Sequence, residues 1–324
     1  MDNEPADRVL GSTGLRLSAL GLGCWQFSRG RGLAGRYWPS LEQSQVDEIV
    51  RLSLEGGLNW FDTAEAYGNG ESERALSRAL HRLGRRPGEV VIATKWAPLL
   101  RRASSILRTI DVRLANLDGF PIDLYQVHNP YSFSRVEAEM AAMAALVRRG
   151  KIRSIGVSNF SAGRMRRAAR ELERQGLKLA SNQVRYSLLD RKIESNGVLD
   201  AARELGVTLI AYSPLAQGLL SGKFHDDPEL VRRRPGYRKF MPGFSRRGLA
   251  RSRPVVEMVR ELAARHGATS SQVALSWVIH SQGPLVVAIP GATRPDQARE
   301  NAQALQLRLS AEEMARLSEV SARG

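Results

Sequence analysis

Residues 58–95 read LNWFDTAEAYGNGESERALSRALHRLGRRPGEVVIATK. A short apolar run, 58–62, stops at a carboxylate, and 71–83 then sets apolar residues at helical spacing among charged ones. A second aliphatic run, 90–95, ends on a lysine. This is a strand–helix–strand unit, and its strands are continuous apolar runs, as strands covered on both faces must be. Similar units recur about every 30 residues along the chain. Further strand-like runs lie at 19–24, 122–128, 152–157, 179–184, 207–212 and 285–289, with helical patterns at 134–149, 161–174 and 272–281. Ser40 with Gln43, and Ser134 with Glu137, have the spacing of helix caps.

Eight strands, each followed by a helix, predict an α/β protein of the (β/α)8 TIM barrel class; a doubly wound open sheet is the competing arrangement. Residues 8–18, with Gly11-Ser12-Thr13-Gly14 between short apolar pieces, predict an N-terminal β-hairpin ahead of the barrel. The stretch 216–253 breaks the repeat and reads as a long loop after the seventh strand. It contains Pro228, Pro235 and Pro242, and between Arg232 and Arg253 it carries nine basic residues and no acid. No linker separates two core-sized blocks, so residues 1–324 are expected to form one domain.

Composition narrows the functional classes. The 324 residues are 43% hydrophobic and 25% charged, which excludes a disordered or fibrous chain. No run approaches the ~18 apolar residues of a membrane span, and the polar start MDNEP does not resemble a secretory signal, so a cytoplasmic protein is expected. The single cysteine, Cys24, rules out an internal disulfide, and the five histidines lack ligand spacing, so no metal is expected. Of the 48 basic residues only six are lysines, which leaves 42 arginines. A bias that strong reflects a GC-rich genome more than a function, and it makes each retained lysine informative. The formal charge of +15 comes without a helix-turn-helix, RNP-like or zinc-knuckle string. It therefore points to an anionic cofactor rather than to nucleic acid.

Gly30-Arg31-Gly32-Leu33-Ala34-Gly35 matches the dinucleotide pattern GxGxxG, but that mechanism needs a helix opening directly on the third glycine. Here Arg36, Tyr37, Trp38 and Pro39 follow, so the match reads as a loop. The chemistry gathers instead at strand C-termini, where barrel enzymes place it. WFDTAEAYG (60–68) carries Asp62 and Tyr67, VIATK (91–95) ends on Lys95, and YQVHNP (125–130) carries His128. A phenol with a pKa near 10 is a poor acid at neutral pH unless a cation lowers it. Lys95 is placed to do so, with Asp62 orienting the ammonium. His128 can donate to a carbonyl oxygen or share the proton with Tyr67.

These three strings resemble the catalytic segments of the aldo-keto reductases. The resemblance extends through LGSTGLRLSALGLGCW (10–25), GVSNF (156–160), SNQVRYSLL (181–189), LIAYSPLAQGLLSGKF (209–224) and IPGATRPDQAREN (289–301). It is nearest to the pyridoxal-reductase-like and potassium-channel β-subunit-like branches. The resemblance implies NADPH or NADP+ as cofactor and a small-molecule aldehyde or ketone as substrate. It makes Tyr67 the proton donor and Asp62, Lys95 and His128 the rest of a tetrad. Ser158, Asn159 and Gln183 would hold the nicotinamide carboxamide and Tyr212 would stack on its ring, with Trp25 and Asp62 nearby. Ser213, Pro214, Leu215, Gln217, Gly218 and Lys223 would follow the pyrophosphate. Gly291, Thr293, Arg294, Gln297, Glu300 and Asn301 would surround the adenosine.

Two positions depart from the family pattern. Cys24 stands where many relatives have Thr, and reads as a small buried residue. Gln297 stands where some branches have an Arg for the 2′-phosphate, leaving Arg294 or the 232–253 stretch to take that role. The alternative to a reductase is an NADP(H)-binding regulatory subunit with little catalysis. His128 argues for the enzyme, because the channel-associated branch has Asn there. Pyridoxal is one candidate among many aldehydes, and no sequence pattern indicates an oligomeric state.

Overall fold

The computed structural model describes residues 7–32, 38–233 and 237–322. Strands β1 (Asp7–Val9) and β2 (Arg16–Ser18) form an antiparallel hairpin, as the Gly11–Gly14 turn predicts. Eight parallel strands follow: β3 (Leu22–Gly23), β4 (Trp60–Asp62), β5 (Val91–Trp96), β6 (Leu124–Val127), β7 (Ser154–Ser158), β8 (Leu179–Arg185), β9 (Thr208–Tyr212) and β10 (Val286–Ile289). Each pairs with its neighbour in sequence order. The circle closes where Gly21 N–H donates to the Ala288 carbonyl (2.8 Å) and Gly23 N–H to the Pro290 carbonyl (3.0 Å). The fold is therefore the (β/α)8 barrel expected from the apolar runs; each run overlaps its strand, and β5, β7 and β8 extend one residue past the predicted ends.

The hairpin closes the N-terminal floor of the barrel. Leu10 and Leu17 pack against Trp60, Leu124, Ala180 and Ile210, which point into the barrel from four strands. The Trp60 indole N–H donates to the Ser18 carbonyl (2.9 Å), tying hairpin to barrel. Gly11 is required at the turn. Its φ is +51°, and a Cβ there would lie 2.6 Å from the Ala180 carbonyl oxygen. A second, larger apolar layer lies between the strands and the outer helices, including Val46 and Ile49 of the helix Gln43–Glu55 and Leu76 and Leu80 of the helix Glu71–Arg82.

Two predicted caps are corrected. The helix Gln43–Glu55 is capped by Glu42, whose backbone N–H bonds the Gln45 side chain, and not by Ser40. Gln43 bonds Asp47 and the Ala75 carbonyl instead, so its spacing from Ser40 carries no cap. The helix Val136–Arg148 begins after Arg135, which makes no side-chain cap. The Ser134 hydroxyl accepts from Ala103 N–H (2.9 Å), and Glu137 pairs with Arg167.

The stretch 216–253 is also corrected: it is largely helical rather than a loop. Short turns at Ala216–Ser221, Lys223–Asp226 and Leu230–Arg233 precede the 20-residue helix Arg246–Arg265, which takes in the last eight residues of the expected loop. The helix buries Leu249, Ser252, Val255, Val256 and Val259, a helical stripe that the arginines hide in the sequence. Pro254 sits on its exposed face, where solvent can satisfy the carbonyl left without a partner. The described part of the GxGxxG match follows a short helical turn (Trp25–Ser28) rather than a strand, and Leu33, Ala34 and Gly35 lie outside the described residues.

Candidate active site

The strand C-termini open on one cleft of about 1000 Å³. β4 delivers Asp62 to its base, and the turn that follows brings Tyr67 back over the same point. The Glu65 N–H donates to the Lys95 carbonyl (3.1 Å), which fastens that turn to the end of β5. Lys95 is fully buried. Its ammonium donates to Asp62 Oδ1, to the Thr63 carbonyl (2.9 Å) and to the Tyr67 hydroxyl (3.5 Å). The other Asp62 oxygen accepts from Gln126 Nε2 (3.2 Å) of β6 and Gln183 Nε2 (2.8 Å) of β8. One carboxylate thus joins side chains from β4, β5, β6 and β8. His128, just past β6, meets the Tyr67 ring edge-on (centroids 5.6 Å, planes at 81°), and Trp25 stacks on it (5.9 Å, 22°).

The electrostatics correct one sequence argument. Burial pushes the Tyr67 phenol above its usual pKa, although Lys95 acts to lower it as expected. The desolvation outweighs the cation, so the phenol holds its proton firmly. Burial also disfavours the Lys95 charge, but Asp62 and Tyr67 reverse that effect and hold the ammonium above its ordinary range. Burial, with Lys95 adding to it, pushes His128 down to about 3. His128 is therefore neutral near pH 7 and offers an N–H donor, not a protonated imidazolium.

A stability prediction follows from His128. An imidazole with its folded pKa near 3 and an unfolded value of about 6.5 binds fewer protons when folded. It costs nothing above pH ~6.5 and opposes folding increasingly as pH falls toward 3. His128→Gln, which does not titrate, should lose less Tm than wild type between pH 7 and pH 4. Parallel Tm–pH curves would show that this imidazole does not carry the effect.

Every residue assigned above by resemblance lines this cleft except Lys95, which lies directly behind Asp62 and Tyr67. The Ser158 hydroxyl donates to the Gln183 carbonyl (2.9 Å). Asn159, at φ +58°, accepts from the Tyr212 hydroxyl (3.1 Å) and donates to Asn129 Oδ1 (3.0 Å). Ser213, Ala216, Gln217 and Gly218 all have positive φ, between +48° and +95°, a backbone shape that forms concave N–H cradles for anions. A Cβ on Gly218 would lie 3.8 Å from the Lys223 ammonium, so the cation sits at the same cradle. This donor set fits a pyrophosphate.

At the far end, Gln297 accepts from the Thr293 N–H (2.9 Å) and hydroxyl (3.1 Å), and Asn301 donates to the Gly291 carbonyl (3.4 Å). Arg294 is paired with Asp296, at 2.8 Å. Glu300 accepts from the Thr269 hydroxyl. Arg238, from the 232–253 stretch, also lines the cleft, and sequence reasoning missed Gln26, Trp38, Arg185 and Thr269–Ser271, which do so too. The TSSQ string at 269–272 does carry a signal, since Thr269 and Gln272 form a capping box that turns a helix N-terminus toward the cleft. Cys24 is buried, with its thiol pushed well above the usual pKa by burial, and fits its reading as a small core residue.

The model of the Aldo/keto reductase family matches residues 19–322. The chain belongs to the aldo/keto reductase family. An oxidoreductase of Mycobacterium tuberculosis, itself uncharacterized, is 38% identical over 298 residues, covering 92% of this chain and 87% of its own. Among solved structures, the thermostable aldo-keto reductase Tm1743, crystallised with the inhibitor epalrestat, is 32% identical with a TM-score of 0.77, covering 97% of this chain and 99% of its own. An aldo/keto reductase from Klebsiella pneumoniae, in complex with NADP and acetate, is 28% identical with a TM-score of 0.73, covering 97% and 95%. In this aldo/keto reductase, no helix among the described residues is long and apolar enough to cross a membrane, and no group of three or more metal-ligating side chains occurs among them.

Proposed function

We propose that this aldo/keto reductase reduces an aldehyde or ketone to the alcohol with NADPH, with Tyr67 as proton donor. The observation that carries the reading is the buried Asp62–Lys95–Tyr67 chain at the base of the cleft, with neutral His128 against the phenol. The nicotinamide, when bound, supplies hydride to the carbonyl carbon. Gln183, Ser158 and Asn159 orient its carboxamide, Tyr212 supports its ring, and the 213–218 cradle with Lys223 holds the pyrophosphate. His128 donates its N–H to the carbonyl oxygen and polarises it. Tyr67 gives its proton to that oxygen as negative charge develops, and the adjacent Lys95 ammonium stabilises the phenolate left behind. Asp62 keeps Lys95 charged and fixed. Trp25, Trp38, Leu99 and Tyr131 wall the mouth and suit an apolar or aromatic substrate body.

The test is NADPH oxidation against a panel of aldehydes that includes pyridoxal. Turnover of at least one is expected; tight NADPH binding with no turnover of any would favour the regulatory-subunit reading.

Cofactor choice gives a second check. The 2′-phosphate of NADPH carries nearly two charges and needs charge-assisted donors, worth ~1.5–3 kcal/mol each. With Thr293 and Arg294 as those donors, NADPH should bind at least roughly tenfold more tightly than NADH. Asp296 competes for the guanidinium, so Arg294→Ala should narrow the preference and Asp296→Asn should widen it. Equal dissociation constants for the two cofactors in the wild-type protein would place the anion site elsewhere.

A further inference from the structure

We propose that Arg185 sets the redox bias of this site: its positive charge beside Tyr212 favours the uncharged reduced nicotinamide over the cationic oxidised ring. The inference rests on the NADP(H) reading and concerns how tightly the two redox forms are held. Arg185 is the last residue of β8, two beyond Gln183, and it is the register partner of Tyr212 on β9. Its guanidinium carbon lies 5.7 Å from the centroid of the Tyr212 ring. The side chain lines the cleft and also a side cavity of about 230 Å³ behind Ser213 and Gln217.

What distinguishes Arg185 is the lack of a counter-charge. Of the three arginines that line the cleft among the described residues, Arg294 is neutralised by Asp296, and Arg238 donates to the Gln217 carbonyl on the cradle side. Among the described residues, Arg185 makes no ion pair, and its one polar contact is with the tyrosine face. Asp190, the acid of the side cavity, forms no ion pair with Arg185 and is offset there by Arg251, which lines the same cavity. At the base of the cleft Asp62 and Lys95 cancel one another, and His128 is neutral. Lys223 and Arg238 lie on the cradle side, the latter donating to the Gln217 carbonyl (3.1 Å). The end of the cleft around Tyr212 therefore carries a net charge of about +1.

Hydride loss converts a neutral dihydropyridine to a pyridinium and adds one positive charge to the ring. Arg185 is exposed, so the effect is read at low ionic strength, where two unit charges on the order of 10 Å apart, at an effective dielectric of about 20, shift an equilibrium by roughly tenfold. That repulsion acts on the oxidised form alone, so it favours reduction of substrate and speeds departure of the spent cofactor. A guanidinium reaching a phosphate would behave differently, strengthening both redox forms equally.

Equilibrium binding of NADPH and NADP+, followed by quenching of protein fluorescence, separates these cases. In Arg185→Gln, NADP+ should bind about tenfold more tightly than in wild type, with NADPH changed by less than about twofold. Arg185→Lys keeps the charge and should restore most of the wild-type ratio. Equal weakening of both forms would assign Arg185 to the phosphates, and an unchanged ratio would make its charge irrelevant; either result overturns the proposal. Failure of wild-type protein to bind either form would remove the cofactor reading itself, and this proposal with it.

Discussion

Tyr67→Phe should lower kcat for aldehyde reduction by about 10²–10⁴-fold, the range that a positioned general acid supplies. The dissociation constant for NADPH should stay within about twofold of wild type. Only one oxygen is removed. The ring can still stack on Trp25, and Lys95 retains both Asp62 and the Thr63 carbonyl, so fold and cofactor cradle keep their partners. His128 cannot take over as an acid near pH 7, because its ring is already neutral there and the remaining N–H of a neutral imidazole is far too weakly acidic to give up. A variant that keeps more than about a tenth of wild-type turnover, with chemistry rate-limiting, would remove Tyr67 from the role.

Lys95→Met should be the most damaging single change, because activity and stability fall together. It strips the ammonium from the phenol, so turnover should drop across the neutral range and any residual basic limb of the pH–rate profile should move to higher pH. It also leaves the buried Asp62 carboxylate without its cation. Breaking a buried pair from one side costs ~3–5 kcal/mol. Gln126 and Gln183 still donate to Asp62, which places the loss near the lower end of that range. Urea unfolding measures the stability loss and a pH–rate series the loss of activity. If both match wild type, Lys95 neither charges the site nor holds it together.

The barrel was legible because its strands are buried on both faces, which turns each into an apolar run that needs no context. The gathering of Asp62, Tyr67, Lys95 and His128 was legible because each lies at a strand end or in the turn just past it, and strand ends of a barrel share a rim. What failed was local chemistry that depends on neighbours. Ser40 and Ser134 have cap spacing, but Glu42 with Gln45, and the Ala103 N–H, claim the groups that decide those turns. The helix Arg246–Arg265 was hidden because its buried stripe is interleaved with arginines and a proline that solvent tolerates. The direction of the Tyr67 shift required knowing how dry the phenol is, a quantity with no trace in the sequence. Arg185 was overlooked because one arginine among 42 shows no sign of lacking a counter-ion until its surroundings are seen.

Asp62 gathers bonds from three other strands, and this changes what its survival in a lineage can mean. A descendant that ceased to reduce anything would still need that knot to keep its strands fastened at the rim, so selection for a foldable chain alone would preserve Asp62, Lys95 and both glutamines. Tyr67 and His128 have no comparable duty, since each touches the knot from the outside. Genuine loss of chemistry would therefore show first as drift at the phenol and the imidazole, with the ion pair beneath them outlasting the reaction it once served.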